Sequence, residues 1–274
     1  MKFELSREKL EELLEKLYMN GAYSSSVITV KKKDNDTILT SLQRDAQGRF
    51  IRLLKVRSSY FDSIEADDTD TIEFDVGKLL KTVKLIRTGT PLTIETEGNK
   101  IKITGFYEDR NSNNEVVGKR KVISHISYRE PDPNSYMTEL PVTVVDGFPI
   151  VGKKKVKLDT KLAIWLSDLK EMVSFASTVD TEFYKFNINN GKLEVRIGDL
   201  HDFSDFWEYQ PRATVVAGSD LSVIYTFGVK EIASTFRDDN IYMYTSTNSP
   251  AWIYEDTDDY TLGVLIPPFI QQEG

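Results

Sequence analysis

The chain has 274 residues, 40% of them hydrophobic, and no cysteine, enough for two domains with separate cores but excluding disulfides, thiolate metal sites and cysteine nucleophiles. A formal net charge of −8 argues against coating nucleic acid through bulk charge. The imbalance is local: Lys/Arg against Asp/Glu stand at 22 to 20 in residues 1–127, 4 to 4 in 128–155 and 9 to 19 in 156–274, so a basic patch can still sit on an acidic body.

The amino-terminal stretch is charged and amphipathic, without an apolar signal core, and no run reaches the roughly 18 apolar residues of a membrane span. The protein is therefore expected to be soluble and intracellular. A first helix is predicted over 6–19, with Ser6 as N-cap and Leu10, Leu13, Leu14 and Leu17 at helical spacing. Lys9 and Lys16 lie on one flank of it, and Glu8, Glu11, Glu12 and Glu15 on the other. β-Rich runs at 25–32, 37–42, 50–56 and 58–64, divided by Asp/Asn/Gly turns, predict an antiparallel meander.

After a strand at 71–74, a second helix is predicted over 75–88, stopped by Gly89 and Pro91. Val76, Leu79, Leu80, Val83 and Ile86 form one stripe, and Lys81 points away from it with Lys78 and Lys84 alongside. Strands at 92–96, 100–107 and 116–127 follow. Residues 128–155 hold Pro131, Pro133, Pro141 and Pro149, so they read as an extended linker outside any central strand.

Beyond the linker the order repeats. A helix is predicted over 160–177 with Asp159 as cap, then strands at 183–188 and 192–197, an aromatic and acidic loop at 200–209, strands at 213–217 and 222–227, and a short helix over 228–236. Strands at 241–246, 251–255 and 261–266 precede an extended tail. Phe3 aligns with Val156 and Phe74 with Phe227, both at an offset of 153, which points to a duplicated domain. Each copy is thus expected to hold two helices on antiparallel sheet, an α+β arrangement, with 1–127 and 156–274 as the copies and 128–155 between them.

Four landmarks in order, Lys78-Leu79-Leu80-Lys81, Gly147-Phe148-Pro149, Thr226-Phe227 and Leu265-Ile266-Pro267-Pro268-Phe269-Ile270, together with the duplication, make nearly the whole chain resemble the sliding DNA clamps of the proliferating cell nuclear antigen (PCNA) type. The resemblance implies a homotrimeric, pseudo-six-fold ring of clamp domains, helices lining the hole, that encircles duplex DNA as a processivity factor in replication and repair. Its DNA face would include Lys78, Lys81, Lys84 and Arg87, with Lys230 and Arg237 on the fourth helix. On the third, Ile164 and Ser167 stand where the family has arginines, leaving Lys161 and Lys170. Lys9 and Lys16 complete the set.

DNA polymerase and other clients would insert beneath the linker, in a pocket of Leu42, Val145, Phe148, Pro250, Leu265, Pro267 and Pro268, with Phe269, Ile270 and Gln271 meeting an extended segment. Subunits would meet along 116–123 of one and 181–188 of the next. The resemblance also implies DNA association inside the cell. No P-loop is present, so an ATP-driven loader is implied. No cofactor or metal is expected. An enzyme is the weaker alternative: His125 and His201 stand alone, and the acidic run at 255–259 lacks calcium-loop spacing and reads as a solvated turn. A clamp-fold scaffold or monomeric processivity factor without the ring is the other.

Overall fold

The computed structural model describes residues 1–33, 36–66, 69–113, 115–198, 206–218 and 220–270. It divides into two compact units: Met1–Gln43, Leu54–Met137 and Thr257–Thr261 in one, and Arg44–Leu53, Thr138–Asp256 and Leu262–Gly274 in the other. The cut falls after Met137, inside the expected linker; residues 128–129 still pair with Glu73 and Phe74 of the first unit.

One pairing plan is used twice, all antiparallel. Lys2–Ser6 lies between Pro91–Glu97 and Ser63–Glu65, as Thr160–Trp165 lies between Asn240–Thr245 and Ala213–Ala217. Ser25–Lys33 lies between Asp36–Arg44 and Thr69–Asp75, as Tyr184–Asn189 lies between Lys192–Gly198 and Leu221–Tyr225. Pro91–Glu97 then pairs with Lys100–Arg110, and Asn240–Thr245 with Ala251–Asp256. The architecture is α+β, two similar domains with two α-helices each among the described residues.

Helix α1 is Arg7–Tyr18, α2 Val76–Lys84, α3 Leu166–Thr178 and α4 Val229–Thr235. Ser6 caps α1, its Oγ accepting from Lys9 N at 3.2 Å, and the buried Leu10, Leu13, Leu14 and Leu17 form the stripe that packs on the sheet. Asp75 caps α2, accepting from Lys78 N at 2.7 Å, over buried Val76, Leu79, Leu80 and Val83. In the second unit Leu162, Ile164, Leu169, Met172 and Ile232 are buried likewise.

Three expectations are corrected. The third helix does not begin at 160: residues 160–165 form a strand whose Thr160, Leu162 and Ile164 alternate inward, and the Asp159 carboxylate accepts from Ser246 Oγ at 2.6 Å instead of capping. Consequently α3 starts 159 residues after α1 (166 against 7), whereas α4 starts 153 after α2 (229 against 76). The single offset of 153 holds only for the later helix of each copy, and the counterpart of Lys2–Ser6 is Thr160–Trp165. The six-residue difference lies inside the copies, since α2 starts 69 residues after α1 (76 against 7) and α4 63 after α3 (229 against 166). Nor is the linker merely extended. It folds into a three-stranded sheet, Val142–Val145, Phe148–Val151 and Val156–Lys157, whose first turn is Asp146-Gly147 with φ of 52° and 81°, a two-residue hairpin turn. Finally, 58–64 is a 3-10 turn, Ser58–Tyr60, followed by the short strand Ser63–Glu65.

Candidate nucleic-acid interface and client pocket

On α2 the buried stripe fixes where the lysines go. Lys78, Lys81 and Lys84 are exposed on the opposite face. Lys84 is spent on α1, its Nζ 3.5 Å from Glu11 and 3.4 Å from Glu15. Lys78 and Lys81 have no side-chain hydrogen bond or ion pair among the described residues, so their charges face solvent uncompensated. Arg87 lies beyond the helix end, exposed, donating to the Glu108 carbonyl at 3.3 Å beside the Tyr107 ring.

Helix α1 departs from the expected DNA face. Lys16 is 2% exposed, with its Nζ 3.0 Å from Glu12 and 4.3 Å from the centre of the Tyr260 ring. Lys9 donates to the Tyr60 carbonyl at 2.9 Å, while the Tyr60 hydroxyl donates back to the Lys9 carbonyl at 2.6 Å. Carboxylate, carbonyl and ring quadrupoles draw both ammonium groups out of the solvent face. The glutamates there are also engaged: Glu11 pairs with Arg7, and Glu8 accepts from Gly89 N at 2.6 Å, which holds its carboxyl below the usual value.

In the second unit Lys161 is removed from the helix. It sits on the strand Thr160–Trp165, facing opposite Leu162, 4.8 Å from the Tyr242 ring and 5.3 Å from Tyr244. Lys170 on α3 and Lys230 on α4 are exposed. Arg237 is partly consumed by its own helix end, donating to the Ser234 carbonyl at 2.9 Å. A cation absent from the expectation stands beside α3: Arg212 donates to Ser167 Oγ at 2.9 Å and to the buried Asp168 at 3.1 Å, over the Trp165 ring at 4.5 Å. Burial raises the Asp168 carboxyl, but the hydrogen bonds from Arg212 outweigh it, and the net direction is down. Nothing in sequence spacing links Arg212 to this helix, since the strands Tyr184–Asn189, Lys192–Gly198 and Phe206–Tyr209 lie between them in the chain.

The expected client residues fall in several neighbourhoods. Leu42 is buried, its carbonyl accepting from Met137 N at 2.9 Å, which ties the end of the first unit's chain to a strand. Val145 is exposed at the hairpin tip, and half-buried Phe148 meets Tyr244 edge-on at 6.3 Å with Lys157 5.1 Å above its ring. The Pro250 carbonyl accepts from Thr245 Oγ1 at 3.3 Å, and Leu265 is buried in its strand. Pro267 is exposed and Pro268 half-buried. Phe269 packs edge-on against Phe183 at 5.5 Å and its N–H donates to the Ile224 carbonyl at 2.7 Å, so that donor is already committed to the domain. Ile270 is exposed; Gln271 and His201 lie outside the described residues.

The acidic run is not simply a solvated turn. Glu255 is fully buried, and its Oε2 accepts from Arg237 N at 2.8 Å and Asp238 N at 3.0 Å, pinning the turn after α4. The strand expected at the second subunit edge is not an edge strand: Tyr184–Asn189 is paired on both sides, and among the described residues the outer strands of its sheet are Phe206–Tyr209 and Leu221–Tyr225. Val116–Arg129 pairs with Lys100–Arg110 along nearly its whole length but with Thr69–Asp75 only at 128–129, leaving an edge that exposes Val116, Val117 and Ile123.

No protein-family model matches the chain, and no curated protein matches its sequence. Solved structures do. PCNA from Entamoeba histolytica aligns over 98% of both chains with a TM-score of 0.75 at 9% identity. PCNA from Thermococcus kodakaraensis aligns over 98% of this chain and 99% of its own, at 0.72 and 15%. The A. fulgidus PCNA, solved with the C-terminal region of FEN-1 bound, aligns over 99% of both at 0.71 and 14%. The fold is therefore that of a two-domain α+β clamp. More narrowly, it is the fold of the PCNA-type sliding clamps.

Proposed function

We propose that the protein is a sliding clamp, a non-enzymatic ring of three copies that encircles duplex DNA and tethers DNA polymerase and other replication and repair proteins. One observation carries the proposal: in a clamp fold, Lys78 and Lys81 stand uncompensated on the helix face opposite the buried stripe. Diffuse charge of this kind attracts phosphates without reading bases, and encirclement makes tight grip unnecessary.

The DNA face is smaller than the family pattern, centred on Lys78 and Lys81, with Arg87, Lys170 and Lys230 as outlying contributors. Ring closure joins Val116–Ile123 of one copy to Phe206–Tyr209 of the next, since each is an open edge with exposed apolar side chains. Clients dock where Phe148 and Leu265 anchor the linker and tail, and a separate ATP-driven loader opens the ring, because the chain has no P-loop. The ring works inside the cell, on DNA.

Sedimentation equilibrium tests the assembly: a trimer sediments at three times the chain mass of 31.3 kDa. A monomer at all concentrations favours instead the scaffold without a ring.

A further inference from the structure

The second unit holds a cleft of about 530 Å³ between the end of α3, the start of α4 and the tail. Its walls are the rings of Phe183, Trp207, Phe227 and Phe269, and Asp180 and Glu182 stand on its rim. Trp207 is 50% exposed and Phe227 38%, large apolar areas to leave open to water.

The rim is held in place by its own backbone. Thr181 N donates to the Ala176 carbonyl at 3.0 Å, Thr181 Oγ1 to the Gly198 carbonyl at 2.6 Å, and Phe183 N to Thr181 Oγ1 at 3.3 Å. Neither Asp180 nor Glu182 has a hydrogen bond or ion pair among the described residues. Both side chains are exposed at the mouth of the cleft, and both also line an adjoining cleft with Arg49 and Lys230. A guanidinium already uses one of the rings: Arg49 stands 5.2 Å from the centre of Phe227, in an adjoining cleft that shares Asp180 and Glu182.

Aromatic faces and free carboxylates both favour a cation and disfavour an anion. We infer that this cleft binds the side chain of an arginine or lysine carried by an extended segment of a partner protein. The site is separate from the Phe148 anchor, whose ring rests on Tyr244, and does not depend on DNA being encircled. Trp207 pairs with Ile197 and shares its sheet face, so its ring joins the cleft from the face and not along the hydrogen-bonding edge. The ring closure proposed above adds a strand at that edge and side chains beside Trp207, so Trp207 reports on the cleft while Phe183, Phe227 and Phe269 wall the part a ligand enters. A single contact of this type is weak, so the cleft selects a basic residue in a segment held by other contacts as well.

The test uses the full chain labelled with 15N, and N-acetyl-arginine amide as the probe, beside the lysine and uncharged citrulline analogues. The Trp207 indole N–H, assigned through Trp207→Phe, is expected to shift with the arginine and lysine probes. The response falls about fivefold or more with citrulline, and equally in the Asp180→Asn/Glu182→Gln double variant, whose exposed positions leave folding intact. An equal response to citrulline, an unchanged response in the double variant, or no shift with any probe overturns the inference. So does a Trp207 signal that responds only when the protein is diluted, because a second copy then fills the cleft.

Discussion

The ammonium of Lys16 lies 4.3 Å from the ring centre of Tyr260, near the opposite end of the chain, with Glu12 3.0 Å away. A lysine that a helical wheel assigns to solvent is thereby part of the first unit's core. Lys16→Ala removes the stem that fills this space and leaves Glu12 without its partner. The expected loss is about 2 kcal/mol, read from urea unfolding, discounted from the full buried-pair value because Glu12 is partly exposed. The salt dependence of DNA binding is expected to stay unchanged. A weaker salt slope in this variant returns Lys16 to the DNA face.

Lys78 and Lys81 behave in the opposite way. Lys78→Ala/Lys81→Ala removes two exposed charges without touching the buried stripe, so stability stays within about 0.5 kcal/mol. If both meet phosphates, the slope of log K against log salt becomes shallower by about 1.8, at roughly 0.9 per contact. An unaltered slope means that the α2 face does not meet the duplex.

These two variants mark what could be read in advance. Helix α2 was legible because its cap, stripe and lysines are all local: Asp75, Val76 to Val83, and Lys78 with Lys81 obey a 3.6-residue period. The two-helix, duplicated plan was legible for the same reason. Tyr60, Tyr260 and Tyr242 draw in Lys9, Lys16 and Lys161, and because these rings are distant in sequence no periodicity reports the contacts. The start of α3 was misread because Asp159 is a good cap by type, while strand pairing of 160–165 on both sides outweighs one cap. Asp146-Gly147 is the hairpin signal that the prolines around it obscured.

Glu73 gives a pH dependence with a definite sign. Arg129 donates to its Oε1 at 2.7 Å, and with Ser25 and Ser135 holds the carboxyl below its usual value, the Arg129 bond contributing most. A folded-state pKa below the unfolded one stabilises fully above the ordinary carboxylate value of about 4.3, and the gain is lost as pH falls through the lower folded value. Arg129 is largely exposed, so the effect is small. Glu73→Gln is expected to lower the urea midpoint at neutral pH and to flatten its decline below about pH 5. A parallel decline in both proteins excludes Glu73 as a contributor.

Phe148→Ala tests the client pocket without disturbing a helix. The ring touches Tyr244 and carries Lys157, contacts within the linker sheet and its neighbour. If Phe148 anchors a client segment as proposed, a client peptide that the unaltered protein binds is expected to bind the variant at least about tenfold more weakly, a loss of roughly 1.4 kcal/mol by calorimetry. Unchanged affinity rules Phe148 out as an anchor.

Gly228 opens α4 with φ of 87°, and a Cβ built there would lie 2.3 Å from Ile266 Cγ2. Two costs therefore act together on Gly228→Ala: a left-handed backbone that alanine tolerates poorly, and overpacking against a fully buried strand residue. The expected destabilisation is about 2–4 kcal/mol. The two costs separate in a double variant. Ile266→Ala alone opens a cavity and destabilises, but combined with Gly228→Ala it removes the clash, so the pair should lose about 1 kcal/mol less than the sum of the single changes. Strict additivity would mean that backbone strain alone requires glycine at the start of this helix.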